Sequence, residues 1–119
     1  MDDSADTAAI KDWHVHVYYS PGTRDQAAAL REWVEQKFTV RMGRWHEEKV
    51  GPHPQAMYQI LFENDQFAKL VPFIALNRQD LTVLVHPNTK RERDDHTKYA
   101  MWFGAVLPLD LSVLREQAD

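Results

Sequence analysis

Six histidines, at positions 14, 16, 46, 53, 86 and 96, offer this chain most of its potential chemistry. His14 and His16 stand two apart in "KDWHVHVYYSPG", where the flanking pattern alternates like a strand, so both rings leave the same face. Cα atoms at that spacing lie about 6–7 Å apart, near enough for both imidazoles to turn toward one ion. His53 sits between two prolines in "GPHP", which restrict the backbone and make it a candidate third ligand. His86 ends the apolar run "LTVLVH", His46 ends "GRWH", and His96 follows the loop after His86. A second reading stays open on spacing alone. Histidines on a sheet are commonly exposed or hydrogen-bonded, "GPHP" and "VHPNT" serve as turns, and "WHVHVYY" with Trp45, Tyr58, Trp102 and Phe103 reads as a hydrophobic dimer face. There is no HExxH and no histidine pair at i, i+4 on a helix, so a zinc-protease motif is absent. The chain has no cysteine. Disulfides, thiolate zinc sites, iron–sulfur clusters and a cysteine nucleophile are therefore excluded. Any metal must be held by His, Asp or Glu, ligands that suit iron(II), zinc, manganese, nickel or copper. Glu47, Glu63 and Asp95 are the candidate carboxylates.

The elements that position these side chains follow from periodicity. Residues 1–11 are small, polar and acidic and are expected to form a flexible tail ahead of a single domain over 12–119. A strand is predicted over 12–19, with Trp13, Val15 and Val17 facing a core and His14, His16 and Tyr18 facing away. Thr23 and Gln26 have capping-box spacing and open a helix to about Phe38, buried along Ala27, Leu30, Val34 and Phe38. Strands are predicted over 39–47, 55–63 and 80–86. A helix over 64–78 is opened by Asn64 or Asp65 and must kink or start late at Pro72. Two short helical segments follow residue 94, although Met101–Phe103 reads equally well as a strand. Arg78, near the end of the second helix, complements the helix dipole or binds a substrate carboxylate.

The order βαββαβ plus a short C-terminal extension is the ferredoxin-like, split β-α-β arrangement of an α+β protein. It predicts a four-stranded antiparallel sheet with both helices on one face. The first strand then neighbours the fourth, so Thr82, Leu84 and His86 share the outer face with His14 and His16.

The chain has 119 residues and a net charge of −4. That length suits one domain with a real core, and the charge argues against nucleic-acid binding. "KRER" at 90–93 is the only basic cluster, and Asp94 and Asp95 follow it at once. No signal peptide and no membrane span are evident, so a cytoplasmic protein without nucleic-acid or membrane partners is expected. The aromatic-rich outer face predicts a homodimer.

"WHVHVYY", "GRWHEEKVGPHPQAMYQILF", "LNRQDLTVLVHPNT" and "DHTKYAMWFGAVLPLDLS" together resemble the DOPA 4,5-dioxygenase family of the fungal and bacterial type, from about Trp13 to Leu114. The resemblance implies a ferredoxin-like fold and extradiol ring cleavage of DOPA or a related catechol by non-haem iron(II) and dioxygen, with zinc or another divalent metal as alternatives. For DOPA, the product is a muconic semialdehyde that cyclises to a yellow compound. The family's histidines fall on His16, His46, His53, His86 and His96, and His14 also matches. This implies His16, His53 and His86 as metal ligands, and His14, His96 and His46 as catalytic groups. Tyr18, Arg78, Tyr99 and Trp102 are the expected substrate-binding side chains. Two departures, "KRERD" after "HPNT" and Tyr99 where a second histidine often stands, point away from DOPA as the natural substrate. A metal-free ligand-binding or dimerisation module on the same scaffold, and a metal-dependent hydrolase or isomerase, are the competing readings.

Overall fold

A computed structural model describes residues 2–117; Met1 of the expected tail and the last two residues of the expected domain lie outside them. The elements are β1 (Asp12–Tyr18), α1 (Arg24–Lys37), β2 (Arg41–Met42), β3 (Met57–Phe62), α2 (Phe67–Asn77), β4 (Thr82–Asn88), α3 (Glu92–Asp95) and β5 (Met101–Phe103). They build one antiparallel sheet in the order β2-β3-β1-β4-β5. The first four strands have the ferredoxin-like order, and β5 extends that sheet beyond β4. Of the two predicted C-terminal helical segments, the first thus ends in a strand, and the second is a 3-10 turn at Leu111–Val113.

Period-two alternation on the central strands sorts side chains between two faces. Val15, Val17, Tyr58, Ile60, Val83 and Val85 point inward and pack against Ala27, Leu30 and Val34 of α1 and Leu70, Val71 and Ile74 of α2. This is the predicted core, with both helices on one face. The opposite face carries a smaller cluster of Tyr18, Met57 and Leu84, covered by Val50, Ala100, Trp102, Leu107 and Leu109 of the same chain. The chain thus covers the Tyr18 end of this face with its own residues. Trp45 and Tyr58 do not belong to it: both pack on the α1 side, where the Arg24 guanidinium lies 4.2 Å from the Trp45 ring centre and Tyr58 Oη donates to the Ala27 carbonyl at 2.7 Å.

Local differences from the predicted elements have physical causes. The capping box does not form. Thr23 Oγ1 accepts from the Ser20 amide, while Gln26 exchanges two hydrogen bonds with Asp80 and so ties α1 to the approach to β4. β2 is two residues long: the Gly43 amide still donates to the Gln59 carbonyl at 2.7 Å, then the chain turns Trp45 against α1 and returns as a single bridge between His46 and Met57. Pro72 does not delay the start of α2, which begins at Phe67 and runs through the proline, forgoing the one hydrogen bond that a proline cannot donate. β4 runs through Pro87 to Asn88, past the stretch Val83–Val85 that β5 pairs.

Gly104, just after β5, has φ +91, and a Cβ there would lie 3.2 Å from both Arg78 Nη1 and Thr82 Oγ1. Backbone and space both demand glycine. Gly104→Ala is expected to destabilise the fold by roughly 1–3 kcal/mol, read as a lower thermal midpoint; an unchanged midpoint would contradict this packing.

Candidate functional site

β1 and β4 place the first part of the site. His14 lies opposite His86, and His16 lies opposite Leu84 on β4 and Gln59 on β3. All three histidines leave the outer face, as their strand positions dictate. The loop containing Pro52 and Pro54 brings His53 over His16, with ring centres 4.1 Å apart. The turn after α3 brings His96 against His86 at 4.0 Å. Five histidines thus converge, four of which, His14, His16, His53 and His96, line a cavity of about 640 Å³ together with Asp12, Gln59, Leu61 and Pro52. His86 lies behind that wall and is fully buried.

The rings are held by specific partners. His16 Nε2 and His86 Nε2 are 3.0 Å apart, and His86 Nδ1 lies 2.9 Å from the Pro87 carbonyl oxygen. His96 Nδ1 is 2.7 Å from the Glu92 carbonyl oxygen, and His53 Nδ1 is 2.6 Å from Tyr18 Oη. His16 Nδ1 is buried without a hydrogen-bond partner. Burial, reinforced by the neighbouring imidazoles, keeps the rings of His16, His53 and His86 neutral. It holds His16 well below the ordinary histidine value, His86 at about 2 and His53 at about 4. Burial also lowers His14, partly offset by Asp12.

Neutral imidazole is the form that binds a metal. Among the described residues, two groups of three histidines hold potential ligand atoms within 4.8 Å of one another: His14, His16 and His86, and His16, His53 and His96. The donor set and the unpartnered Nδ1 of His16 fit a divalent cation. The expected trio His16, His53 and His86 is not one of these groups, although all three side chains lie in the cluster.

Other expected site residues have different surroundings. His46 belongs to neither group; its backbone pairs with Met57. Arg78 does not line the cavity; its guanidinium donates to the Leu81 carbonyl at 2.8 Å and packs under Gly104. Tyr99 is exposed and lines a separate cleft with Trp13 and Arg91. Trp102 stacks on Tyr18, 5.9 Å between centres, and Tyr18 reaches His53 rather than the cavity wall. The candidate carboxylates are engaged elsewhere. Glu47 pairs with Arg24 and accepts from Tyr19 Oη, Glu63 is exposed ahead of a 3-10 turn, and buried Asp95 accepts from the Thr89 amide and hydroxyl. Asp12 and Gln59 were not singled out from sequence. Both occupy outward positions in the alternation, Asp12 two residues before His14 and Gln59 directly across from His16, so that pattern could have found them.

The comparisons agree with this geometry. Residues 13–113 match the sequence model of the Dopa 4,5-dioxygenase family. An uncharacterized 21.2 kDa protein of Botryotinia fuckeliana is 41% identical over 113 residues, covering 85% of this chain and 62% of the relative. A DOPA 4,5-dioxygenase of Amanita muscaria is 30% identical over 119 residues, covering 92% of this chain and 52% of the relative. The chain therefore spans less than two thirds of either curated relative. A crystal structure from Nostoc punctiforme, whose description proposes a dioxygenase, superposes with a TM-score of 0.92 at 45% identity, covering 94% of this chain and 97% of that one. With matching sequence over nearly its whole length and the same fold, the chain belongs to the Dopa 4,5-dioxygenase family.

Proposed function

We propose that this protein is an extradiol dioxygenase that opens the ring of a catechol, DOPA or a relative of it, using iron(II) held by the buried histidines. The observation that carries this reading is the convergence of five histidines in one cluster, four of them lining a cavity, in a chain of this family. His16, common to both donor groups, would hold the ion with two of its neighbours. Bound there, iron(II) would acidify the catechol hydroxyls and bring catechol and dioxygen together.

The chain's own residues supply the rest. A cavity of about 640 Å³ admits one aromatic ring with a short side chain. Leu61 and Pro52 give apolar contact, and Gln59 offers an amide to a ring substituent. His14, half-buried and neutral, lines the cavity and is placed to take a catechol proton. No observation favours the metal-free module, which predicts scattered histidines, nor does the absence of HExxH favour a zinc hydrolase.

Charge around the cavity suggests which catechols are preferred. The carboxylates that line it are engaged: Asp12 accepts from Asn88, Asp95 from Thr89, and Glu92 from Arg115. Lys11 and Lys90 also line it, and neither forms an ion pair among the described residues. Hydrogen bonds from neutral Asn88 and Thr89 leave Asp12 and Asp95 charged, so the two lysines offset them and give the lining as a whole no positive excess; a preference for catechols with a carboxylate side chain would come locally, from contact with exposed Lys90. Lys90→Glu is expected to raise KM for a catechol carboxylate several-fold, in keeping with about 1 kcal/mol for an exposed charge, with the effect fading in high salt. Equal KM values for anionic and cationic catechols would remove this role.

The test of the main reading is anaerobic loading with iron(II), then mixing with oxygen and a series of catechols while following oxygen uptake and the yellow ring-opened product. Uptake stoichiometric with ring opening supports it. Iron binding without uptake on any catechol would overturn it.

A further inference from the structure

The hydrogen bonds behind the five histidines discriminate between the two donor groups. A carbonyl oxygen can only accept, so His86 Nδ1, 2.9 Å from the Pro87 carbonyl, carries the ring's proton and leaves Nε2 as a bare lone pair. His16 Nε2, 3.0 Å away, must then be the donor to His86 Nε2. That fixes the tautomer of His16 and leaves its Nδ1 as a bare lone pair, the buried atom that has no partner. By the same logic His96 donates Nδ1–H to the Glu92 carbonyl and presents a bare Nε2. His53 Nδ1 meets Tyr18 Oη, a hydroxyl able to accept, so its Nε2 is also available.

We propose that the cation is held by His16 Nδ1, His53 Nε2 and His96 Nε2, with His86 acting behind them as the hydrogen-bond acceptor that orients His16. Each ligand's other nitrogen then has a partner: His86 for His16, Tyr18 for His53 and the Glu92 carbonyl for His96. This is the outer-shell arrangement that metal-binding histidines characteristically have. All three ligands also line the cavity, where a substrate can reach the ion. The competing group, His14, His16 and His86, lacks these features. Ligation through His16 Nε2 would protonate Nδ1 and strand a buried N–H without an acceptor. His14 has no ring hydrogen bond among the described residues, and His86 is cut off from the cavity. His14 is thereby left free of metal. Tyr18 and His86 become positioning residues.

Cation binding can be measured without oxygen chemistry, so this assignment and the ring-cleavage reading can fail separately. The chelator-stripped 119-residue chain is titrated with zinc(II), using a competing chelator to fix the affinity. His53→Ala and His96→Ala are each expected to weaken zinc binding at least 100-fold, whereas His14→Ala changes it less than threefold. His86→Ala should weaken it about 10–100-fold, and His86→Gln, whose amide oxygen can still accept from His16, should recover most of the loss. The assignment is overturned if the unaltered protein binds no zinc, if His14→Ala loses zinc while His53→Ala or His96→Ala keeps it, or if His86→Gln binds no better than His86→Ala. Should a variant fail to fold, long-range proton–nitrogen NMR of the zinc-loaded unaltered protein decides. His16 must show a protonated Nε2 and a metal-bound Nδ1; the reverse rejects the proposal.

Discussion

A His16→Ala variant is expected to retain its secondary structure, lose tight metal binding and consume no oxygen with any catechol. His16 is the one histidine shared by both possible donor groups, so no rearrangement of the remaining rings restores a full set that includes it. Losing one of three imidazole ligands should weaken the metal at least 100-fold, about 2.7 kcal/mol. The fold should tolerate the change better than it tolerates loss of an inward residue such as Val15, because His16 faces the cavity cluster and not the packed helix face. A His46→Ala variant provides the contrast: its ring belongs to neither donor group, so metal affinity should stay within about twofold, well below the tenfold that corresponds to 1.4 kcal/mol. Circular dichroism, zinc affinity and oxygen uptake measured on both variants check this. Wild-type metal affinity in His16→Ala would place the cation outside the histidine cluster.

The second large effect is on stability. The metal-free protein should lose stability steeply as pH falls below about 6.5, the ordinary histidine value. The sign follows from the direction of the shifts. His16, His53 and His86 are held below that value in the folded protein, with burial as the first cause. Below pH 6.5 the unfolded chain takes up protons at these positions while the folded protein does not. The stabilisation is complete above 6.5 and drains away as pH falls toward about 4, where His53 begins to protonate in place. Each such histidine contributes at most about 1.4 kcal/mol per pH unit below 6.5, so three contribute roughly 4 kcal/mol over one full unit. That is a large part of a typical domain's 5–15 kcal/mol. Urea unfolding of the chelator-treated protein between pH 7.5 and 5 measures it. A midpoint that stays level across this range would mean that the rings protonate freely in the fold. His86→Ala, which removes one of the three rings, should flatten the slope by about a third of that total.

Much of this geometry was legible in the chain. Alternation in "DWHVHVY" assigned His14, His16 and Tyr18 to one face, and alternation in "TVLVH" placed Thr82, Leu84 and His86 beside them; both assignments match the sheet register. The α1 stripe of Ala27, Leu30 and Val34 is buried as its spacing predicts. Local signals failed where a long-range contact outbid them. Thr23 and Gln26 have capping-box spacing, yet Gln26 bonds to Asp80, 54 positions away. The strand predicted over 39–47 is shortened to Arg41–Met42, and Trp45 packs against Arg24 and Arg31 of α1. Arg78, offered as a carboxylate binder or a helix-dipole partner, donates from Nη1 to the Leu81 carbonyl and stands away from the histidine cavity.

The sequence by itself determined the order of the first four strands and the two main helices, the face from which His14, His16 and His86 leave, and the family, because these depend on periodicity and short blocks of residues. Only the tertiary structure decided how the histidines combine. His53 and His96 stand on loops whose paths no periodicity encodes, and their rings are fixed by Tyr18, 35 positions from His53, and by the Glu92 carbonyl. Whether a given imidazole nitrogen is a donor or a lone pair depends on the atom that meets its other nitrogen. For His16, that atom arrives from His86, 70 positions along the chain, across a strand pairing that forms only when the sheet is assembled.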